Sequence, residues 1–300
     1  MNSSSENNSI ATPAARPKHR GRWAIVLLLS LLTLFGGVLV LLMYITGVGW
    51  SGFMPSQMAA AYYTPKDVVG DLGGMPVTIA RHIPQLVEYD GDPGWGAKRK
   101  GPAPKRTHTS KLASFGFDVR YPDMATLSTP ELWHEFEKKS LYQHSWVRVS
   151  VESGSSYPEH GFLDRRYRAT IPHPEKHHVF EQYEPLPTTI KGLELYAKRG
   201  VNPRTGIAYR YEGAGGDLYI HRNHQGKVTT FIRCTFRSGT HRYATCSQNW
   251  SMESYGLRID LRTRYVPDLL PQWQDIQTRV SRFVLEFKDP QAAPVLPATR

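Results

Sequence analysis

The most regular apolar pattern in the chain lies near its C-terminus. Leu269, Trp273, Ile276, Val280, Phe283 and Phe287 step alternately by four and three residues, tracing one face of an α-helix. Asp268 stands where an N-cap would, and Pro267 and Pro271 fall near the first turn, where a missing N–H costs little. A lone helix with such a stripe must bury it, and the apolar face of a sheet is its natural partner. That sheet is legible just upstream. Val228, Thr230, Ile232, Cys234 and Phe236 alternate with Thr229, Phe231, Arg233 and Thr235, so the two sets face opposite ways. In the following strand Leu257, Ile259 and Leu261 point one way, and Arg258, Asp260, Arg262 and Arg264 the other. This predicts a half-buried strand with a basic outer surface.

The same alternation marks strands at 75–79, 114–121 and 146–151. It then predicts an antiparallel meander over 179–183, 193–198, 207–211, 218–222, 227–236, 243–252 and 255–265. A second helix is expected over 129–140, with Ser128 as N-cap, Pro130 in the first turn and Glu131 completing a capping box. Leu132, Trp133 and Phe136 would supply its buried face. The expected fold class is α+β: an antiparallel sheet covered by a C-terminal helix.

One further apolar run is of a different kind. Trp23 to Tyr44 contains no charged residue in 22 positions. As a helix it would reach about 33 Å, close to the ~30 Å of a bilayer's hydrocarbon layer. Arg16, Lys18, Arg20 and Arg22 precede it, and the next basic residue is Lys66, which predicts an N-terminus inside and a C-terminus outside. Trp23, Tyr44 and Trp50 fall where aromatic rings favour the membrane interface. A cleaved signal peptide fits less well, because the run exceeds the usual length of roughly 7–15 residues. The alanines at 59–61 also lie too far beyond it to mark cleavage. The expected organisation is a cytoplasmic tail (1–22), a single span (23–44), a juxtamembrane linker (45–70), an exported domain (71–289) and a loose tail (290–300). The expected location is a membrane crossed once, with most of the chain on its far side.

Charge and cysteine content fit that picture. Of the net charge of +11, the tail before the span carries +3, leaving a basic exported part. Such a domain attracts anionic lipid or acidic protein, and export excludes nucleic acid as its partner. Cys234 and Cys246 lie symmetrically about residue 240, with Ser238, Gly239, Thr240 and His241 as turn residues. As cross-strand partners about 4.5–5.5 Å apart at Cα they suit a disulfide worth roughly 2–3 kcal/mol. Two free buried thiols are the alternative.

Sequences that approach catalytic or metal-binding motifs are incomplete or poorly placed. His134-Glu135 has Lys138 where a second zinc-binding histidine belongs. His173, His177, His178 and Glu181 form a denser group that could hold a metal, but proline and loop context favour a surface segment. Asp90-Gly91-Asp92 lacks the later carboxylates of a calcium loop. No G-x-S-x-G elbow occurs, and Gly213–Gly216 has no following lysine to cradle phosphate. No catalytic residue, metal or cofactor is assigned, and the chain is expected not to be an enzyme.

What remains is binding chemistry. Lys98, Arg99, Lys100, Lys105 and Arg106 lie in a Gly/Pro-rich loop that suits lipid headgroups or an acidic protein, and equally a solvated loop. Arg204, Arg210, Arg222, Arg233 and Arg237, with Tyr209, Tyr211 and Tyr219, form a second region of interface-like composition.

Four segments carry a family resemblance: GMPVTIARH (Gly74–His82), EYDGDPGWGAKRKG (Glu88–Gly101), SFGFDVRYPDM (Ser114–Met124) and LLPQWQDIQ (Leu269–Gln277). In these the chain resembles membrane-anchored periplasmic immunity-type proteins associated with type VI secretion effectors. The resemblance implies a bacterial inner-membrane protein with its 71–289 domain in the periplasm, which binds and blocks a secreted toxin, often a lipase, and it supplies no catalytic residues. An envelope scaffold with a permanent partner and a hydrolase with a scattered active site are the competing readings.

Overall fold

The computed structural model describes residues 66–94, 97–171, 182–212, 216–237 and 240–292. The expected span with its interface residues, and the His173–Glu181 group, lie outside these. Among the described residues no helix is long and apolar enough to cross a membrane.

The chain begins with a hairpin of β1 (Val68–Leu72) and β2 (Met75–Ile79). The main sheet follows: β3 (Gln85–Tyr89), β4 (Leu112–Arg120), β5 (Ala125–Thr126), β6 (Trp146–Glu152), β7 (Tyr183–Leu186) and β8 (Glu194–Lys198). It is completed by β9 (Asp217–Arg222), β10 (Val228–Phe236), β11 (Tyr243–Ser251) and β12 (Asp260–Tyr265). Helices are α1 (Pro130–Lys138), α2 (Phe162–Thr170) and α3 (Trp273–Leu285). Strand order is β3-β4-β6-β12-β11-β10-β9-β8-β7, antiparallel throughout, with β5 on the side of β4. The meander from β7 to β12 is thus joined to the early strands through the β6–β12 pair.

One face of this sheet carries the core. Phe115, Phe117, Val147, Val149, Leu261, Tyr265, Trp250 and Ile232 are all at most 3% exposed. α3 lays Trp273, Ile276, Val280 and Val284 onto them, and Phe287 closes against Phe115 and Phe117. Each such fully buried side chain contributes about 1.5–3 kcal/mol. Several polar groups under α3 are paired with one another. Tyr265 Oη donates to Gln248 Oε1 at 2.8 Å, Gln248 Nε2 donates to Gln277 Oε1 at 3.1 Å, and Trp250 Nε1 donates to Ser281 Oγ at 2.9 Å. These bonds set the rotation of α3 on the sheet. The segment after α3 then pairs with the hairpin, Thr78 N–H donating to Phe287 O at 3.0 Å.

Cys234 and Cys246 are directly opposed on β10 and β11 and joined as a disulfide. Their Cα atoms are 4.0 Å apart, somewhat closer than expected, and both residues are fully buried.

Several boundaries differ from the expectations for definable reasons. The N-cap of α1 is Thr129, whose Oγ1 accepts from Leu132 N–H, and not Ser128. A residue before proline is held extended, so Pro130 at the first helical position makes Thr129 the last non-helical residue. The face of α1 with Leu132, Trp133 and Phe136 is only half-buried. Asp268 does not cap α3: Pro267–Gln272 form a 3-10 turn and the α-helix starts at Trp273. Pro271 has no N–H to give to the carbonyl four residues back, so the tighter turn takes that stretch. Ile207–Tyr211 is no strand. Tyr209–Tyr211 is a 3-10 turn, pinned by Arg210, whose Nε and Nη2 donate to the fully buried Asp217 at 2.7 and 2.5 Å. The last strand starts at Asp260, after a turn at Glu253–Tyr255 that ends on Gly256 with φ +72°. Asp260 itself is buried, against the expectation that it shares the exposed basic surface.

Candidate functional site

The sheet's second face is covered only in part. At one corner α1 sets the Phe136 ring edge-on to Trp146 at 5.2 Å, and Trp146 Nε1 donates to Glu135 Oε1 at 3.1 Å. At another, α2 packs Leu163 against Leu218, Ile220, Val228 and Phe231. Between them the register lines up side chains from strands far apart in sequence. Asp118, Arg148, Arg264, Ser247 and Arg233 form one row across β4, β6, β12, β11 and β10. Gly116, Ser150, Arg262, Asn249 and Phe231 form the next, and Ser114, Glu152, Asp260 and Ser251 a third.

Neighbouring strands lie about 4.8 Å apart, so the first row concentrates positive charge. Arg148 Nε donates to Asp118 Oδ1 at 3.0 Å, and Arg262 lies 3.9 Å from Glu152. Arg264 and Arg233 form no ion pair among the described residues. Arg166 of α2 joins the face, stacked 4.3 Å over the Phe231 ring with Nη1 3.3 Å from Asn249 Oδ1. Burial first, and then the fields of Arg233 and Arg262, depress the Arg166 pKa. In the third row burial, reinforced by Glu152 directly opposite, pushes Asp260 up to about 8, although Arg262 and Arg166 oppose the shift. Its Oδ1 and the Asn249 Nδ2 are buried without hydrogen-bond partners among the described residues.

The residues expected to bind a partner through the basic loop divide into two groups. Arg99 and Arg106 both pair with Asp92, and Arg106 also stacks 4.1 Å from the Tyr89 ring centre. Burial works against the Asp92 carboxylate, but these arginines and the Tyr89 N–H hold its pKa below the ordinary value. Lys98, Lys100 and Lys105 are exposed. In the second arginine region Arg210 is spent on Asp217, and Arg222 pairs with Glu194 at 3.1 Å while stacking 4.0 Å from Tyr167. Arg233 reaches the open face.

Two further carboxylates, Asp90 and Glu253, are occupied. Asp90 Oδ1 accepts from Ser155 N–H and Oγ at 2.9 and 2.7 Å, so the calcium-like turn holds a loop in place. Glu253, beside a cavity of about 330 Å³, accepts from Tyr157 Oη at 2.7 Å and Gly161 N–H at 3.0 Å. Burial alone would raise Glu253; those bonds, His160 and Lys227 outweigh it and lower its pKa. Among the described residues no group of three or more His, Cys, Asp or Glu side chains could hold a metal.

Arg262 and Arg264 were legible as outward-facing from the sequence. Arg148, Asp118 and Arg166 were not singled out, although Trp146–Val151 alternates visibly enough to turn Arg148 outward. The structure therefore defines an α+β domain with one helix-covered core face and one partly open, arginine-bearing face. No protein-family model and no curated protein matches the chain. Two solved structures resemble it. An immunity protein of the Stenotrophomonas maltophilia type IV secretion system is 14% identical with a TM-score of 0.46, over 76% of this chain and 95% of that one. An iron-regulated outer membrane lipoprotein of Neisseria meningitidis is 10% identical with a TM-score of 0.39, over 75% and 93%. The first of these serves a type IV system, whereas the sequence resemblance points to type VI.

Proposed function

We propose that the protein is a membrane-tethered periplasmic binder that neutralises a secreted effector, of type VI kind and acting on the membrane, by masking an acidic surface on it. The observation that carries this reading is the cross-sheet arginine row, in which Arg264 and Arg233 have no carboxylate partner among the described residues. Two arginines directly opposed on adjacent strands destabilise the sheet, and partner carboxylates would relieve that repulsion while steering association. The apolar run Trp23–Tyr44 supplies the tether, which raises local concentration at the inner membrane without any new contact. The sequence resemblance to immunity-type proteins points the same way. In this reading the chain is not an enzyme and needs no metal or cofactor.

The test is co-expression with each toxin encoded beside the gene, delivered to the periplasm, scoring survival. Rescue by the full chain, weakened without residues 1–50 and lost in Arg264→Glu, supports the reading. Rescue unchanged by Arg264→Glu removes the arginine face from it. Turnover of lipid or peptidoglycan by the purified chain, abolished by one substitution, replaces inhibition with catalysis.

A further inference from the structure

At one end of the arginine row, where α1 leaves the sheet, lies a cleft of about 310 Å³. Its floor is apolar: Trp146 is 2% exposed, and Val266 and Ala244 lie beside it. Phe136 walls one side, and Leu141, at 80% the most exposed large apolar side chain among the described residues, stands at the mouth. The rim is basic, formed by Lys139, Arg148 and Arg264 against the single carboxylate of Asp118. A lone exposed leucine means little on a protein surface. Here it extends an apolar pocket that opens among three cations.

We infer that this cleft receives one aromatic or leucine side chain, flanked by carboxylates, from an acidic polypeptide segment. The inference rests on the neutralising role proposed above and names the chemistry of the partner at that face. Its size sits at the lower end of the range for ligand pockets, about 300–1,000 Å³, which suits a single side chain better than a whole cofactor. Binding energy at protein interfaces concentrates where an apolar anchor fills such a pocket inside a polar rim. The rim also calls for negative charge. Lys139 Nζ sits 3.1 Å over the Phe136 ring and donates to the Phe136 carbonyl at 2.9 Å, with no carboxylate of its own among the described residues. Burial, with Arg148 adding to it, lowers the Lys139 pKa even though Asp118 opposes. His144 is depressed by burial and then by Lys139, which disfavours a further positive charge on its ring. An incoming carboxylate relieves each of these. A second copy of this chain is the wrong occupant, because the part beyond the tail carries a net charge of +8 and repels itself.

The experiment is selection of a random peptide library displayed on phage against the full chain held in lipid nanodiscs. Arg264→Glu and Leu141→Glu serve as parallel targets. Both positions are exposed, and a melting curve on each variant checks that it folds. Enriched peptides should carry Asp or Glu around one Phe, Trp or Leu, and should bind each variant about tenfold more weakly or worse. Peptides without that pattern, or binding to both variants as tight as to the native chain, overturn the inference. So does capture of anionic-lipid vesicles through the same residues with no peptide selected. Failed selection with rescue intact sinks the cleft and leaves the neutralising role standing. Successful selection with no rescue from any neighbouring toxin does the reverse.

Discussion

Arg148 on β6 and Arg264 on β12 stand directly opposite each other, and among the described residues only Arg148 is ion-paired, to Asp118. A sheet selected for stability alone would not set two guanidinium groups at adjacent strand positions. Like charges so placed are destabilising by some tenths of a kcal/mol and up to about 1 kcal/mol. The pair therefore stores unfavourable charge on the one face that the helices leave partly open.

Relieving it should stabilise the isolated protein. Arg264→Glu turns a repulsive cross-strand pair into an attractive one, with an expected gain of about 0.5–1 kcal/mol. The urea midpoint should rise at unchanged slope. High salt should shrink the difference between the two proteins, because these side chains are solvent-accessible. A lower midpoint in the variant would mean that Arg264 is engaged in support of the fold.

Asp118 is the counterweight in this row. It is 5% exposed and accepts from Arg148 Nε at 3.0 Å and from Gln85 Nε2 at 3.1 Å. Asp118→Asn keeps the volume but removes the charge, leaving Arg148 and Arg264 uncompensated. The expected cost is about 1–3 kcal/mol. In a cycle with Arg264→Thr much of that cost should vanish, since the second cation is then gone. Additive losses would show that Asp118 does not act on Arg264 and serves only its direct partners, Arg148 and Gln85.

The disulfide and the pinned turn next to it can be probed together. Cys234→Ala with Cys246→Ala, or reductant on the native chain, should cost roughly 2–3 kcal/mol for a loop of this size. Arg210→Ala leaves the fully buried Asp217 without its bidentate partner and should cost more, about 3–5 kcal/mol. Denaturation curves for both sets rank the two effects; a milder Arg210→Ala would mean that Tyr243, which also donates to Asp217, holds the carboxylate unaided.

Much of this architecture is readable from residue order, and what is not has identifiable causes. The stripe on α3, the alternation of β8 to β11 and the cysteine symmetry are local patterns, and each appears in the structure. The arginine row is not local: it exists only because β12 pairs with β6, bringing residue 264 opposite 148. α2 was invisible because it follows Gly161 in a left-handed conformation, has no side-chain cap and buries only Leu163. β1 begins inside the stretch expected to be linker, 45–70, and runs through Gly70. A Cβ there would meet Leu112 Cγ at 2.8 Å and the Ser110 carbonyl oxygen at 2.9 Å, so close strand packing explains the glycine. Asp260 misled for a related reason: alternation gives the face on which a side chain lies, but not whether a neighbouring element covers it.

That buried carboxyl makes the last prediction, a pH dependence with an unusual sign. Most paired carboxylates have depressed pKa values and lose their contribution as pH falls. Asp260 is pushed the other way, to about 8, by burial and by Glu152 across the strand pair. Its unfolded value is near 3.9. Between these limits the folded state holds a proton that the unfolded state has released, so stability falls as pH rises through that window and levels off above it. A single such group contributes a slope of at most about 1.4 kcal/mol per pH unit. Asp260→Asn, which keeps the neutral shape at every pH, should flatten this slope and raise the melting temperature at pH 8 more than at pH 5. Equal shifts at both pH values would show that Asp260 is ionised in the folded protein, held by Arg262 and Arg166, whose fields face it from β12 and α2.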